Sequence, residues 1–299
     1  MAQNLPRAVL GRTGLEVTRL GYGTALRKHP DSAQWGRLLN TVLDSGINFI
    51  DTANDYGVQE ASGPSEVHIG RHISSRRSEY YLATKCGCRP EGGPHIWTRE
   101  NLFRGLHESL ERMKTDYVDL MQVHNPTVEQ SEAEGVVDAL EEMRRQGKVR
   151  WIGASTTLPH LPTFLEWGVF DTFQIPYSAL EREHEDWITR SAEAGTGIVI
   201  RGGVAQGEPG HGSGGVDLWS KFTEAGLDEL RAEGESPTTF ILRYTLTHQH
   251  SHTNIVGTSS LEHLQENIQG ILQGPLSDDV YSETKRRLDA VSVTAAPVS

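Results

Sequence analysis

An α/β fold, a single (β/α)8 barrel of the TIM barrel type preceded by an N-terminal β-hairpin, is what the sequence predicts. Three observations lead there. Short apolar runs alternate with longer amphipathic segments to the end of the chain, eight such runs can be counted, and no G-x-G-x-x-G opens a helix after an early strand. Alternating strands and helices demand parallel strands with right-handed crossovers, which leaves a closed eight-fold barrel or an open doubly wound sheet. The count favours closure. Gly21-Tyr22-Gly23-Thr24 lacks the third glycine of a dinucleotide-binding turn, so the open sheet is the alternative.

Residues 7–18 place Gly11-Arg12-Thr13-Gly14 between short apolar stretches, which reads as a hairpin able to plug the barrel bottom. Strands are expected at 18–21, 48–51, 80–84, 118–123, 149–153, 172–175, 197–200 and 253–256. Helical patterns separate most of them. They include 32–44, 98–113, 128–146 and 261–271, with Asp31 and Thr98 placed to cap the first two. Two loops are long. Residues 86–97 hold three glycines and two prolines, and 201–218 are glycine-rich, carrying His211 with Trp219 just beyond. Loops of that length are usually functional. No repeat other than the β/α unit and no low-complexity linker interrupts the pattern, so residues 1–299 read as one domain that frays after Leu288.

The formal charge of −12, from 28 basic and 40 acidic side chains, argues against nucleic-acid and membrane partners. Only two cysteines occur, Cys86 and Cys88, one glycine apart and poorly placed to bridge each other. The start MAQNLPRAVLGRTG has no basic flank followed by an apolar stretch, and no run approaches the roughly 18 apolar residues of a membrane helix. A cytoplasmic protein is expected.

Polar residues ending barrel strands on the C-terminal side converge on one mouth, whatever their separation in sequence. Asp51 ends INFID, Lys85 ends YYLATK, His124 ends VDLMQVH, and Tyr56 follows in DTANDYG. Each alone has a structural explanation: an aspartate caps a helix, a lysine snorkels, a histidine satisfies a turn. Together they form a proton-transfer set. Carbonyl reduction needs a proton donor at oxygen as hydride reaches carbon, and an unperturbed tyrosine near pKa 10 is sluggish at neutral pH. A lysine ammonium lowers the tyrosine pKa, Asp51 holds that ammonium, and His124 orients the carbonyl or relays a proton. No metal set is expected: the thirteen histidines show no H-E-x-x-H, and His248, His250 and His252 alternate as in a strand or loop. Directly after Lys85, Cys86 and Cys88 are expected as alkylatable thiols at the mouth.

These residues resemble the aldo-keto reductases over nearly the whole chain. The segments LGRTGLEVTRLGYGT, INFIDTANDYG, GPSEVHIGRHI, YYLATKCG, SLERMKTDYVDLMQVHNP, GKVRWIGAS and IVGTSSLEHLQENI follow that family's order and spacing. The resemblance implies a nicotinamide cofactor lying extended across the mouth, 4-pro-R hydride transfer to or from a small-molecule carbonyl or alcohol, and catalytic roles for Asp51, Tyr56, Lys85 and His124. It places Gly23, Thr24 and Asp51 near the nicotinamide ribose, and Ser155, Thr156 and Gln174 near the carboxamide, where the family usually has Asn at Thr156. Gly257, Thr258, Ser259, His263, Glu266 and Asn267 match its adenosine site. NADP(H) is expected ahead of NAD(H), although Gly257 and His263 replace the usual Lys or Arg. Arg201 stands where many members stack an aromatic ring, and its planar guanidinium can stack on the nicotinamide instead. Gly202, Val204, Gln206 and Gly207 fall in the loop over the pyrophosphate.

The substrate wall is expected from Tyr22, Ala25, Trp97, Asn125 and Trp219. Three other readings stay open. They are a cofactor-binding auxiliary or sensor subunit with little turnover, a dehydrogenase working oxidatively, and a barrel enzyme of isomerase or aldolase type with Lys85 as Schiff base. Oligomeric state is also open.

Overall fold

The structure, a computed structural model, describes residues 4–89 and 92–298. Strands β1 (Arg7–Val9) and β2 (Glu16–Thr18) pair antiparallel, and the tight connection between them needs positive φ at Gly11 and Gly14. The hairpin tip closes the barrel floor. Leu10 and Val17 are buried against Phe49, Ala83, Leu120 and Val199, an apolar layer set apart from the larger core between strands and helices.

Eight parallel strands then close the barrel: β3 (Leu20–Gly23), β4 (Phe49–Asp51), β5 (Tyr81–Cys86), β6 (Val118–His124), β7 (Val149–Ser155), β8 (Thr172–Pro176), β9 (Gly197–Arg201) and β10 (Thr253–Val256). They pair in order, and β10 returns to β3. The first lies two residues beyond its expected start, because Thr18 belongs to the hairpin and its N–H donates to Asn48 Oδ1 at 2.7 Å.

Helices α1 (Ser32–Asp44), α2 (Ser65–His72), α3 (Arg99–Met113), α4 (Val128–Ala133), α5 (Val136–Arg145), α6 (Leu161–Trp167), α7 (Glu185–Glu193), α8 (Val216–Glu224), α9 (Pro237–Thr247), α10 (Leu261–Gln273) and α11 (Asp278–Ala290) surround it. Asp31 caps α1 through a reciprocal box with Gln34, and Thr98 caps α3, as the sequence suggests. The expected helix 128–146 is two. Gly135, at φ 60°, breaks it between α4 and α5. The loop expected over 201–218 ends earlier, where α8 begins at Val216. Nor does the tail fray: Arg182 donates to the Val293 carbonyl at 3.0 Å, and Ala296 N–H to the Glu183 carbonyl at 2.9 Å. Among the described residues, no helix is long and apolar enough to cross a membrane.

A Cβ added at Gly11 would fall 2.2 Å from the backbone nitrogen of Gly197, and φ there is already +51°. Both strain and overlap oppose it. Gly11→Ala should therefore lower stability by about 1–3 kcal/mol or more in urea unfolding. An unchanged midpoint would mean that the hairpin does not seat in the barrel floor.

Candidate active site

Side chains alternate between the two faces of a strand, so each barrel strand offers inward positions in layers. Above the apolar floor the next layer is polar. Asp51 of β4 is almost fully buried, and its carboxylate accepts from Lys85 Nζ (2.6 Å), Gln122 Nε2 (2.9 Å) and Gln174 Nε2 (2.8 Å), carried by β5, β6 and β8. A buried carboxylate requires such a set, since desolvation costs several kcal/mol per ion and one partner rarely offsets it. Lys85 Nζ also donates to the Thr52 carbonyl at 2.9 Å. Burial alone would lower the lysine pKa, yet Asp51 and Tyr56 hold it above its ordinary value, so the ammonium stays charged.

Tyr56 sits in the loop after β4, its carbonyl tied to Ser65 N–H at 2.9 Å, with Lys85 Nζ 4.8 Å from its ring centroid. Burial raises its pKa more than Lys85 lowers it, and Asp51 adds to the rise. The phenol is therefore less acidic than the sequence expectation. Proximity of an ammonium does act in the expected direction, but desolvation of the phenolate is larger. Against Tyr56 stands His124, edge to face with ring centroids 5.9 Å apart. Burial, then Lys85, His95 and Arg201, push the His124 pKa down to about 2, so the ring is neutral.

The four catalytic candidates thus meet at one end of a cleft of about 1010 Å³. Asp51, Tyr56, His124, Asn125, Ser155 and Gln174 line that end, with Gly23 and Ala25 beside them. Arg201, Gly202, Val204, Gln206 and Gly207 line a second side. Gly257, Thr258, Ser259, His263, Glu266 and Asn267 line the cleft toward the N-terminus of α10, with Gly257 against Gly23 and Ala25. Arg201 reaches into the cleft with its Nε buried and unpartnered.

Six expected residues do not line the cleft. Lys85 belongs to the same polar layer but is buried behind Asp51 and Tyr56. Thr24 turns its hydroxyl to Thr52 (2.8 Å) and Ser65 (3.3 Å), bracing loops rather than facing a ligand. Thr156 is buried, its hydroxyl near the Thr157 carbonyl. Tyr22 faces the surrounding helices, and its hydroxyl donates to the Thr258 carbonyl at 2.8 Å. Trp97 packs against the Gly87 turn and borders a separate depression. Trp219 is buried too, donating through Nε1 to the Ala205 carbonyl at 2.9 Å and so pinning the loop after β9.

Other cleft residues escaped the sequence reading. Gln122 looked like any strand residue, although its position two before His124 gives it the same inward face. Arg27 and Lys28, in the loop after β3, also line the cleft, and Arg27 reaches Gln206 Oε1 at 2.5 Å. The thiols were misplaced. Cys86 and Cys88 are free but buried, Cys86 because the residue after inward Lys85 faces the helices, with its thiol pKa raised to about 12 by burial. Cys88 follows the turn at Gly87 (φ +99°) and brings its sulfur 3.0 Å from His124 Nδ1.

A family model described as "Aldo/keto reductase family" matches residues 19–208. The chain is 29% identical over 302 residues to an uncharacterized oxidoreductase, YqkF, of Bacillus subtilis (strain 168), covering 93% of this chain and 96% of that protein. It is 27% identical over 290 residues to L-galactose dehydrogenase of Arabidopsis thaliana, covering 88% and 87%. Among solved structures, the holo form of the aldo-keto reductase AKR11C1 from Bacillus halodurans matches with a TM-score of 0.84 and 28% identity, over 95% of this chain and 96% of that one.

Burial of both sulfurs sets the outcome of thiol labelling. In the native protein Cys86 and Cys88 should resist iodoacetamide, and both should label once the chain is unfolded in denaturant. Rapid native labelling of Cys86 would contradict the outward, helix-covered position.

Proposed function

This chain belongs to the Aldo/keto reductase family of NAD(P)H-dependent oxidoreductases, and from that premise we propose that it works as one barrel domain reducing a small aldehyde, ketone or sugar carbonyl. The reading is carried by one arrangement: the Lys85 ammonium, fixed by Asp51, lies beneath the Tyr56 ring with neutral His124 opposite. Ser155, Gln174 and Arg201 would hold a nicotinamide ring at this mouth, where it would supply the hydride for the carbonyl carbon. Tyr56 gives its proton to the carbonyl oxygen, and Lys85 stabilises the phenolate left behind. Asp51, itself held by three donors, keeps Lys85 charged. His124, neutral, positions the carbonyl by hydrogen bonding.

The remaining cleft suits a dinucleotide. Gln174 spends its amide nitrogen on Asp51 and has its oxygen to offer a carboxamide, with Ser155 and Asn125 alongside. Arg201 lines the cleft with a buried, unpartnered Nε and has the flat cation that can stack on the ring. Toward α10, Ser259, His263 and the first turn of that helix offer anion-binding donors, while Glu266 and Asn267 stand ready for adenine. NADP(H) is favoured over NAD(H) because Arg27 and Lys28 line the same cleft and supply the cations that Gly257 and His263 lack. Thr24, Thr156, Tyr22, Trp97 and Trp219 take no direct part, which leaves Ala25 and Asn125 on the substrate wall.

Similarity to an L-galactose dehydrogenase supports a sugar carbonyl, and the same residues serve the oxidative direction with Tyr56 as base. Tyr56→Phe should lower carbonyl reduction about 100-fold or more while cofactor affinity, followed by fluorescence quenching, stays within a few-fold. Turnover near wild type would exclude Tyr56 as the acid.

The protonation states also fix a pH profile. A raised Tyr56 pKa keeps the acid form present through neutral pH, and reduction is lost only as pH rises through that raised value. His124, at about 2, does not titrate between about pH 5 and 8. The kcat/KM for reduction should be flat across that range and fall on the alkaline side. An inflection near the ordinary histidine value of 6.5 would assign the proton to a charged His124.

A further inference from the structure

Behind His124, on the side away from the cleft, four donors from three segments converge: the loop after β4, the loop after β5 and the end of β6. Asp55, Cys88, His95 and His124 each present one ligand atom, and all four atoms lie within 4.8 Å of one another. Cys88 Sγ is 3.0 Å from His124 Nδ1, which is 4.0 Å from Asp55 Oδ1. That Asp55 oxygen is buried without a conventional hydrogen bond among the described residues, and the Cys88 thiol beside it is divided between Asp55 and His124 Nδ1. A buried carboxylate oxygen without a donor is costly and normally has an ion or water to satisfy it.

We propose that these four residues form a binding site for a thiophilic divalent cation, Zn2+ above all. Tetrahedral zinc with bonds of about 2.0–2.3 Å sets its ligand atoms roughly 3.3–3.8 Å apart, a spacing the cluster reaches with small side-chain adjustments. One thiolate and two imidazoles select zinc or cobalt over calcium and magnesium. The Cys88 thiol proton leaves to solvent as the metal–sulfur bond forms, and the thiolate with the Asp55 carboxylate then balances the ion's two charges. That balance matters here because Lys85 and Arg201 also act on His124. Lys85 is already neutralised by Asp51.

The outer shell and a route of entry are both present. His95 Nδ1 donates to the His124 carbonyl at 2.9 Å, the arrangement that orients a metal-binding imidazole and leaves its lone pair on the other nitrogen. His95 also borders a surface depression separate from the catalytic cleft, rimmed by Glu129 and Glu134, so a cation can arrive with the cleft occupied. Coordination through Nδ1 fixes the His124 proton on Nε2. The site thereby couples metal loading to the ring that faces Tyr56, but its existence does not depend on the proposed carbonyl chemistry.

Titration of the chelator-treated, full-length protein with Co2+ tests this without any activity measurement. One Co2+ per chain is expected, with a thiolate-to-cobalt charge-transfer band that Zn2+ displaces. Cys88→Ser should abolish the band and Cys86→Ser retain it, and His95→Ala should weaken binding roughly 10-fold or more. Circular dichroism establishes that each variant is folded. Absence of the band in wild type, or a band that follows Cys86, overturns the proposal. If Cys88→Ser does not fold, unchanged Co2+ affinity in His95→Ala overturns it equally.

Discussion

The Asp51 carboxylate, buried in the barrel interior with hydrogen bonds from Lys85, Gln122 and Gln174, is the constraint on which the rest of the site depends. A carboxylate at that depth costs several kcal/mol of lost hydration, and removing one partner of a buried pair typically costs about 3–5 kcal/mol. Donors from β5, β6 and β8 must therefore arrive together. Lys85 is level with Gln122, while Asp51 is level with Ala83 and Gln174 with Ser155, so the stagger of the barrel and the length of these side chains together bring the donors to one carboxylate. The network ties the fold's closure to the protonation state of the mouth: where the barrel closes, Lys85 is charged.

Below that layer the interior changes character over one side-chain repeat. Phe49, Ala83, Leu120 and Val199 take the inward positions two residues before Asp51, Lys85, Gln122 and Arg201, and the hairpin residues Leu10 and Val17 cover them from beneath. This apolar floor shuts the polar layer off from below. Desolvation is then strong enough to outweigh the ammonium at Tyr56 and to keep His124 neutral beside two cations. An open floor would leave both groups nearer their solution values.

The period-two pattern explains which features were legible in the sequence. Apolar runs and their spacing were enough for the eight-stranded barrel, and strand-end Asp51, Lys85 and His124 pointed to the mouth because strand ends there share one address. Tyr22 and Cys86 were misread by one step. Each neighbours an inward residue and so faces the helices, a parity that could have been counted from Gly23 and Lys85. Trp97 and Trp219 are harder, since a loop aromatic lies under or over its loop according to tertiary packing that no local pattern encodes. Arg27, Lys28 and the Asp55–Cys88–His95–His124 cluster depend on loop paths from different β/α units, which spacing alone does not specify.

Within the proposed reaction, the available protons single out one donor. Lys85 Nζ has three hydrogens: Asp51 and the Thr52 carbonyl take two, and the third faces Tyr56. Giving any of them up would leave the Asp51 charge uncompensated in the interior. His124 at neutral pH has a single ring proton, and releasing it would form an imidazolate far less stable than a phenolate beside an ammonium. Only Tyr56 combines a proton to give with a cation positioned for the charge that follows. Its raised pKa keeps the phenol protonated at neutral pH, and the Lys85 ammonium offsets part of what burial costs the phenolate. The proton thus stays on Tyr56 until hydride transfer makes the carbonyl oxygen basic enough to take it.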